Sequence, residues 1–419
     1  MIPSDSPPSR RNQYAIQSRD NAVTIYALEH PRNVSDFIRV VRGIRERGYQ
    51  DVIVDVSATG RVFPNACLPI AALIQHYRTS GMEISVHGQP GVLQVAHFDQ
   101  PLPSTADVLK TEVDPLSRIW QFQDERMINE LVTAFVKVIS ERVPCSSGVL
   151  QAFEWCLNEV MDNVLQHSKV SAGFAMVQVH SETKRLAACI ADLGIGIYHS
   201  LAQSKHKPRS AVDAITLAVK ENVTRDPNIG QGNGLWGLLQ IVKENSGILS
   251  ITSGSGSLFI RGNQTQTFDR LPYVDKQTQG TIVDFQVDTT QGIDIARALG
   301  GHRPINLRLE ELETETGEYL VRVGEHAHGT GTRRAAEQMR NFVINIVNER
   351  VPKVTLDFSG VAIISSSFAD EFIGKLIVRY GFYDFQRIIE LRGMNQAVQG
   401  IVHRSVAQRM MDSLREAPN

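Results

Sequence analysis

Apolar and polar positions follow two rhythms along this chain, one of period two and one near 3.6, and the switches between them set out its elements. AVTIYAL (22–28) reads as a strand and VSDFIRVVRGIRERG (34–48) as an amphipathic helix. DVIVDVS (51–57) reads as a strand, NACLPIAALIQHYRTSG (65–81) as a helix and MEISVHG (82–88) as a strand. Strands alternating with helices predict a helix-covered sheet over 21–100. Residues 1–20, rich in Ser, Pro and Arg, predict a loose leader, and 101–119 a linker.

The middle block opens with two helical patterns, DERMINELVTAFVKVISERV (124–143) and SGVLQAFEWCLNEVMDNVLQHS (147–168). FAMVQVHS (174–181) and RLAACIAD (185–192) follow as strands. GLWGLLQIVKEN (234–245) is a helix stopped near Gly247, ILSITS and SLFIRG form a hairpin around SGSG, and GTIVDFQV (280–287) alternates as a strand should. In the last block, INLRLEE and EYLVRV read as strands and 332–350 as a helix capped by Thr332. KVTLDFS (353–359) reads as a strand, 366–381 as a helix, QRIIELRG (386–393) as a strand and 395–416 as a closing helix. VIVDVS and VTLDFS share an Asp, an apolar residue and a Ser, and each leads into a helix. Two related domains, 21–100 and 300–419, are therefore expected around a different central one, 120–290.

Composition narrows the function. Lys and Arg number 43 against 45 Asp and Glu, which speaks against a strongly basic nucleic-acid binder. Hydrophobic residues make up 42% and charged residues 21%, ordinary for a folded protein. No apolar run approaches the ~20 residues of a membrane span, and MIPSDSPPSRRNQ lacks the apolar core of a signal peptide. Cys67, Cys145, Cys156 and Cys189 form no C-x-x-C, so buried free thiols in a reducing cytoplasm are expected.

Three features of the central block carry chemistry. Glu159 and Asn163 stand four apart on one helix face, and His167 continues that face; a carboxylate beside an amide oxygen can hold a divalent cation and place a nucleophile. Asp192-Leu193-Gly194-Ile195-Gly196 ends an apolar strand, where the Asp can accept from an exocyclic amine and the glycines let the backbone approach a flat ligand. Gly230-Gln231-Gly232-Asn233-Gly234-Leu235 leads into a helix whose free N–H groups suit phosphate, and Gly280-Thr281 opens a strand with a hydroxyl. Singly, each has an ordinary explanation: a solvated stripe, a turn, a structural helix start.

In this order, NEVMDNVLQHS, DLGIG, GQGNGL and the late GT resemble the boxes of the gyrase–Hsp90–histidine-kinase–MutL (GHKL) ATPases, and E-x-x-x-N-x-x-x-H is closest to the anti-sigma-factor serine kinases. The resemblance implies a two-layer α/β sandwich that binds ATP and Mg²⁺. Glu159 would be the general base and Asn163 the magnesium ligand. Asp192 would read adenine with Thr281 nearby, while Gly194 and Gly196 shape the base pocket. Gly230, Gly232, Asn233, Gly234 and Leu235 would surround the phosphates, with a lid over 197–229. VTLDFSGVAIISSSFADEFIGKLI resembles the STAS-type core of anti-sigma-factor antagonists, whose phosphoacceptor serine starts a helix. Ser366 matches that place, Ser365 replaces the usual Asp before it, and a plain serine N-cap explains the same residues.

The resemblance thus implies an ATP-hydrolysing switch acting on flanking STAS-like domains. The alternatives are a serine/threonine kinase acting on a STAS-like partner or on Ser366, and a nucleotide-sensing module without turnover. A protein partner or self-association is expected. Gly232-Asn233-Gly234-Leu235-Trp236-Gly237 also satisfies G-x-G-x-x-G, but no strand precedes it and no acidic residue follows at the required distance. Glu325-His326-Ala327-His328 reads as an exposed loop, and Arg333, Arg334 and Arg340 as a solvated helix face. Lys205, His206, Lys207, Arg209 and Arg225 are candidates to approach phosphate.

Overall fold

The computed structural model describes residues 15–416 apart from 113, 171, 222, 224–233, 263, 303 and 305. The chain is mixed α/β and divides into two compact units, Met1–Ala134 with Cys156–Val287 and Phe135–Trp155 with Asp288–Asn419. The first unit thus takes in both the 21–100 segment and most of the central block.

It begins with β1 (Ile16–Arg19), β2 (Ala22–Ile25), α1 (Arg32–Glu46), β3 (Asp51–Asp55), α2 (Pro64–Thr79), β4 (Glu83–His87) and α3 (Gly91–Val95). The sheet runs β1-β2-β3-β4, parallel except for the antiparallel β1–β2 pair. Ile16–Arg19 was expected within a loose leader; a hairpin partner in β2 makes it a strand. In α1, Val34, Phe37, Ile38, Val41 and Ile44 form one buried stripe. α2 is different. From Ala66 to Ile74 every residue is buried, so this helix is covered on all sides.

The covering comes from an eight-stranded sheet ordered β11-β10-β9-β12-β8-β7-β6-β5. Its elements are β5 (Leu102–Pro103), α4 (Ala106–Thr111), β6 (Trp120–Phe122), α5 (Glu125–Arg142), α6 (Val149–His167), β7 (Gly173–His180) and β8 (Arg185–Asp192). They continue with α7 (Gly196–Ala202), α8 (Ala211–Ala218), α9 (Gly234–Glu244), β9 (Ile248–Ser253), β10 (Gly256–Arg261), β11 (Gln264–Phe268) and β12 (Thr281–Asp288). The expected linker supplies β5 and α4. α2 packs on β7 and β8, and Phe174, Met176, Cys189 and Ala191 join the core that α1 and α2 share. Ala191 faces α2, so its neighbour Asp192 points to the opposite side of the sheet. That alternation carries the candidate site.

The second unit holds α10 (Ile295–Ala298), α11 (Leu307–Glu310), β13 (Tyr319–Arg322), α12 (Val323–His326), α13 (Arg333–Asn348), β14 (Val354–Asp357) and α14 (Ser366–Ala369). A π-turn (Asp370–Gly374), α15 (Lys375–Tyr380), α16 (Phe382–Ile388), β15 (Ile389–Arg392) and α17 (Gln396–Glu416) complete it. β13-β14-β15 is a parallel sheet, and Val343 and Ile346 of α13, Phe368 and Phe372 fill its core. INLRLEE was expected as a strand, but Leu307–Glu310 is a helical turn. The expected strand 386–393 is half as long, because α16 runs to Ile388.

The end of α5 belongs to this unit. A helix leaves its last carbonyls without partners, and three asparagines of α13 supply donors. Asn341 Nδ2 reaches the carbonyls of Glu141 (3.1 Å) and Arg142 (3.0 Å). Asn345 Nδ2 reaches those of Ser140 (2.8 Å) and Val143 (2.9 Å), while its Oδ1 accepts the Cys145 N–H at 2.6 Å. Asn348 Nδ2 donates to the Cys145 carbonyl at 2.6 Å.

Candidate functional site

On the α6 side of the sheet, three segments distant in sequence meet. Glu159 and Asn163 project from α6, one turn apart. Gly234 opens α9 against them: a Cβ there would stand 2.6 Å from Glu159 Oε2 and 3.2 Å from Asn163 Nδ2. A side chain there would push the carboxylate or the amide aside. Burial pushes the Glu159 carboxyl above its ordinary value, and Asp162 adds to the effect. Asn163 Nδ2 is buried with no hydrogen-bond partner among the described residues. A half-turn of the amide exchanges its nitrogen for its oxygen. A carboxylate beside an uncommitted amide is a donor set that fits Mg²⁺, which needs only one or two protein oxygens when phosphate supplies others.

At the far end of α6, Asp192 ends β8 with its side chain 4% exposed. Its carboxylate accepts the Gly194 N–H at 2.8 Å and the Thr281 N–H. Burial pushes this carboxyl up to about 7 against those two hydrogen bonds. The turn that follows is pinned on both sides. Ile195 N–H donates to the Ser168 carbonyl at 3.0 Å, and the Gly194 carbonyl accepts from the N–H groups of Gln279 (2.9 Å) and Gly280 (2.8 Å). A Cβ at Gly194 would fall 2.1 Å from the Ser168 carbonyl oxygen, so a side chain here would expel the end of α6. Gly196 has φ +73°, which L-residues rarely adopt.

Thr281 lies beside a residue that sequence reasoning missed. Ser253 Oγ accepts the Ile197 N–H at 2.8 Å, donates to the Gly280 carbonyl at 2.9 Å and sits 3.1 Å from Thr281 Oγ1. The signal lay in register, since β9 and β12 pair Ser253 with Thr281. A strand pairing of this kind cannot be read from spacing.

Gly230, Gly232, Asn233 and Arg225 lie outside the described residues. Leu235 is packing, set against a small cluster of Leu201, Ala214 and Ala218. The described part of 197–229 forms α7 and α8, and α8 packs on β10. Arg209 spends its backbone N–H on Asp213, at the start of α8.

In the second unit, Ser365 rather than Ser366 caps α14: its Oγ accepts the Phe368 N–H at 3.0 Å and lies 2.9 Å from Ser367 Oγ. Ser366 is exposed at the first helical position. Arg333 and Arg334 are exposed as expected and Arg340 is only 15% so, but Arg333 and Arg340 are held by carboxylates. Both pair with Glu371, which is 3% exposed, and Arg333 also reaches Asp370. Lys375 binds Glu371 at 2.8 Å and Arg409 binds Asp370 at 2.5 Å. His328 Nε2 lies 3.0 Å from Glu141 Oε2, and His326 stacks on Phe342.

Two strands of the parallel sheet, β14 and β15, and the helices around them fall within a family match. The family model of a STAS-like domain of unknown function (DUF4325) covers residues 335–399, from α13 into α17. Residues 335–399 form a STAS-like domain. Comparison with curated proteins found no match. Among the described residues no helix is long and apolar enough to cross a membrane, and all four cysteines are buried and free.

Proposed function

We propose that this chain is a GHKL-type ATP·Mg²⁺-binding regulatory protein that hydrolyses ATP to switch the contacts of STAS-like domains, the N-terminal α/β segment being the second of these. The observation that carries the reading is the meeting of Gly234 with Glu159 and Asn163, while the same helix ends against the Asp192–Gly196 turn. From Glu159 to Ser168 is about 13 Å at 1.5 Å per residue, room for a base, a sugar and a phosphate chain laid end to end.

In this reading Asp192 accepts from the exocyclic amine of adenine, with Thr281 and Ser253 beside it. The N–H groups at the start of α9 meet phosphate oxygens. Asn163 would hold Mg²⁺, which when bound offsets phosphate charge. Glu159, made more basic by its burial, takes a proton from the attacking water. Four free buried thiols suit a cytoplasmic setting, and the switched contact would be with a protein partner or a second copy of the chain. The exposed hydroxyl of Ser366 favours one second reading, in which the γ-phosphate passes to a serine instead of to water.

Calorimetry with ATP·Mg²⁺, together with phosphate release, tests the proposal. Binding is expected in the wild type, and Asp192→Asn should weaken it at least tenfold. Glu159→Ala should keep binding while phosphate release falls by about 10²–10⁴. Absence of binding heat, or unchanged affinity in Asp192→Asn, would refute the assignment. Radiolabel from the γ-phosphate on Ser366 would select the kinase reading.

A further inference from the structure

The opposite face of the eight-stranded sheet holds a second site. Between α1, the start of α2, the end of β8 and strands β9, β10 and β12 lies a cavity of about 600 Å³, its wall reaching Ala191, Asp192 and Gly280, within the range of small-molecule sites. All of it belongs to the first unit. Its wall includes Asp284 of β12, 4% exposed. Ile282 packs against the core that α1 and α2 share, so the alternation of β12 puts Asp284 on that same side, in the cavity wall.

This carboxylate has a single described partner, the side-chain amide of Asn65 at the second position of α2. No lysine or arginine among the described residues pairs with it, and burial pushes it up to about 7. Arg32 and Arg39 also line the cavity, but both are largely exposed and both are held by Asp36. With the Asn65 nitrogen turned to Asp284, Asn65 Oδ1 is left buried and without a partner among the described residues. A buried charge without a counter-charge is costly to a fold. Here it stands in a cavity wall next to an unsatisfied acceptor.

Two adjacent acceptors, one of them charged, call for a planar head with two N–H donors. Pro69, Leu73, Ile282 and Phe259 give such a head an apolar body to rest on. We propose that this cavity binds a small organic cation, an amidinium or guanidinium group carried on a compact apolar body, with the head on Asp284 and Asn65.

The test uses the full chain and benzamidine as probe, with benzamide as its uncharged counterpart, read by calorimetry and by the shift in melting temperature. Saturable benzamidine binding is expected, at least tenfold tighter than that of benzamide. Asp284→Asn, which keeps the shape of the side chain, should weaken it at least tenfold. Ile282→Trp, which fills the cavity and leaves Asp284 intact, should do the same. Glu159→Gln, on α6 and outside the cavity wall, should bind benzamidine within twofold of wild type whatever becomes of its nucleotide turnover. No binding to the folded wild type, equal binding of benzamide, or unchanged affinity in a folded Asp284→Asn would overturn the proposal. Loss of benzamidine binding in Glu159→Gln would overturn it too, because it would put the probe in the nucleotide pocket.

Discussion

Asp55 at the end of β3 accepts the N–H of Ser57 at 2.9 Å, and Asp357 at the end of β14 accepts that of Ser359 at 2.9 Å. In both places the serine draws the carboxyl below its ordinary value. The next strand of each sheet then ends in a glycine of positive φ, Gly88 (+70°) and Gly393 (+71°), pressed against that same corner. A Cβ would stand 2.6 Å from Ser57 Cβ in the first case and 2.4 Å from Ser359 Oγ in the second. The N-terminal segment and the STAS-like domain thus turn the chain alike. They part at the helix that follows. α2 begins at Pro64 with no side-chain cap and is apolar on every side from Ala66 to Ile74, whereas α14 begins under a serine cap and leads to the charged cluster around Asp370 and Glu371. One backbone unit therefore serves two ends: covered by a second sheet, its helix becomes core; left accessible, it keeps a hydroxyl at its tip and ion pairs along its flank.

The largest effect should come from the charged helix. Glu371→Ala leaves Arg340, itself 15% exposed, with only its longer pair to Glu337 at 3.4 Å, and should cost about 3 kcal/mol in urea denaturation. In α2 the comparable loss comes from an apolar truncation: Leu73→Ala should cost about 2–5 kcal/mol. The shared corner is tested by Gly88→Ala and Gly393→Ala, each expected to cost about 2 kcal/mol or more from positive φ and contact together. If only one of the pair is sensitive, the likeness between the two corners is superficial.

Titration separates the regions next. Asp192 and Asp284 are pushed by burial up to about 7, so their contribution to stability is full below the ordinary carboxylate value and is lost as pH rises toward 7. Asp370 behaves oppositely, held low by its hydrogen bond to Arg409. Glu371, against its own burial, is held low by Lys375 and Arg340. Their contribution is present above the ordinary value and is lost as pH falls through the lowered one. Hydrogen exchange on the full chain, corrected for intrinsic rate, should show peptides of β8 and β12 losing protection from pH 5 to 8. Peptides of α13 to α15 should hold over that range and weaken only below about 4. The smallest effect is expected at the cap: Ser365→Ala should cost about 1 kcal/mol, and Ser366→Ala much less. Equal costs would return the cap to Ser366.

Most elements were legible because their periodicity is strong: α5, α6, the β9–β10 hairpin and β12 stand where the apolar pattern sets them. Local spacing also singled out Glu159, Asn163 and Gly234, and the structure brings these three together. What stayed hidden depends on contacts across the chain. The ion pairs of Arg333 and Arg340 require α15 and the π-turn to fold against α13. Ser253 needs its register with Thr281. INLRLEE alternates like a strand yet forms a helical turn, because four residues are too few for periodicity to decide. The cavity had one sign in the sequence: the unbroken apolar run from Ala66 to Ile74 needs a second covering layer, and the polar face of β12 lies beneath it.

The three asparagines of α13 have a consequence of their own. Each carries no charge, and Asn341 and Asn345 are almost wholly shielded from water. A grip built from neutral amides on backbone oxygens is blind to salt and to proton concentration. When brine or acid slackens the guanidinium clusters a few residues away, the end of α5 stays fastened to the STAS-like fold.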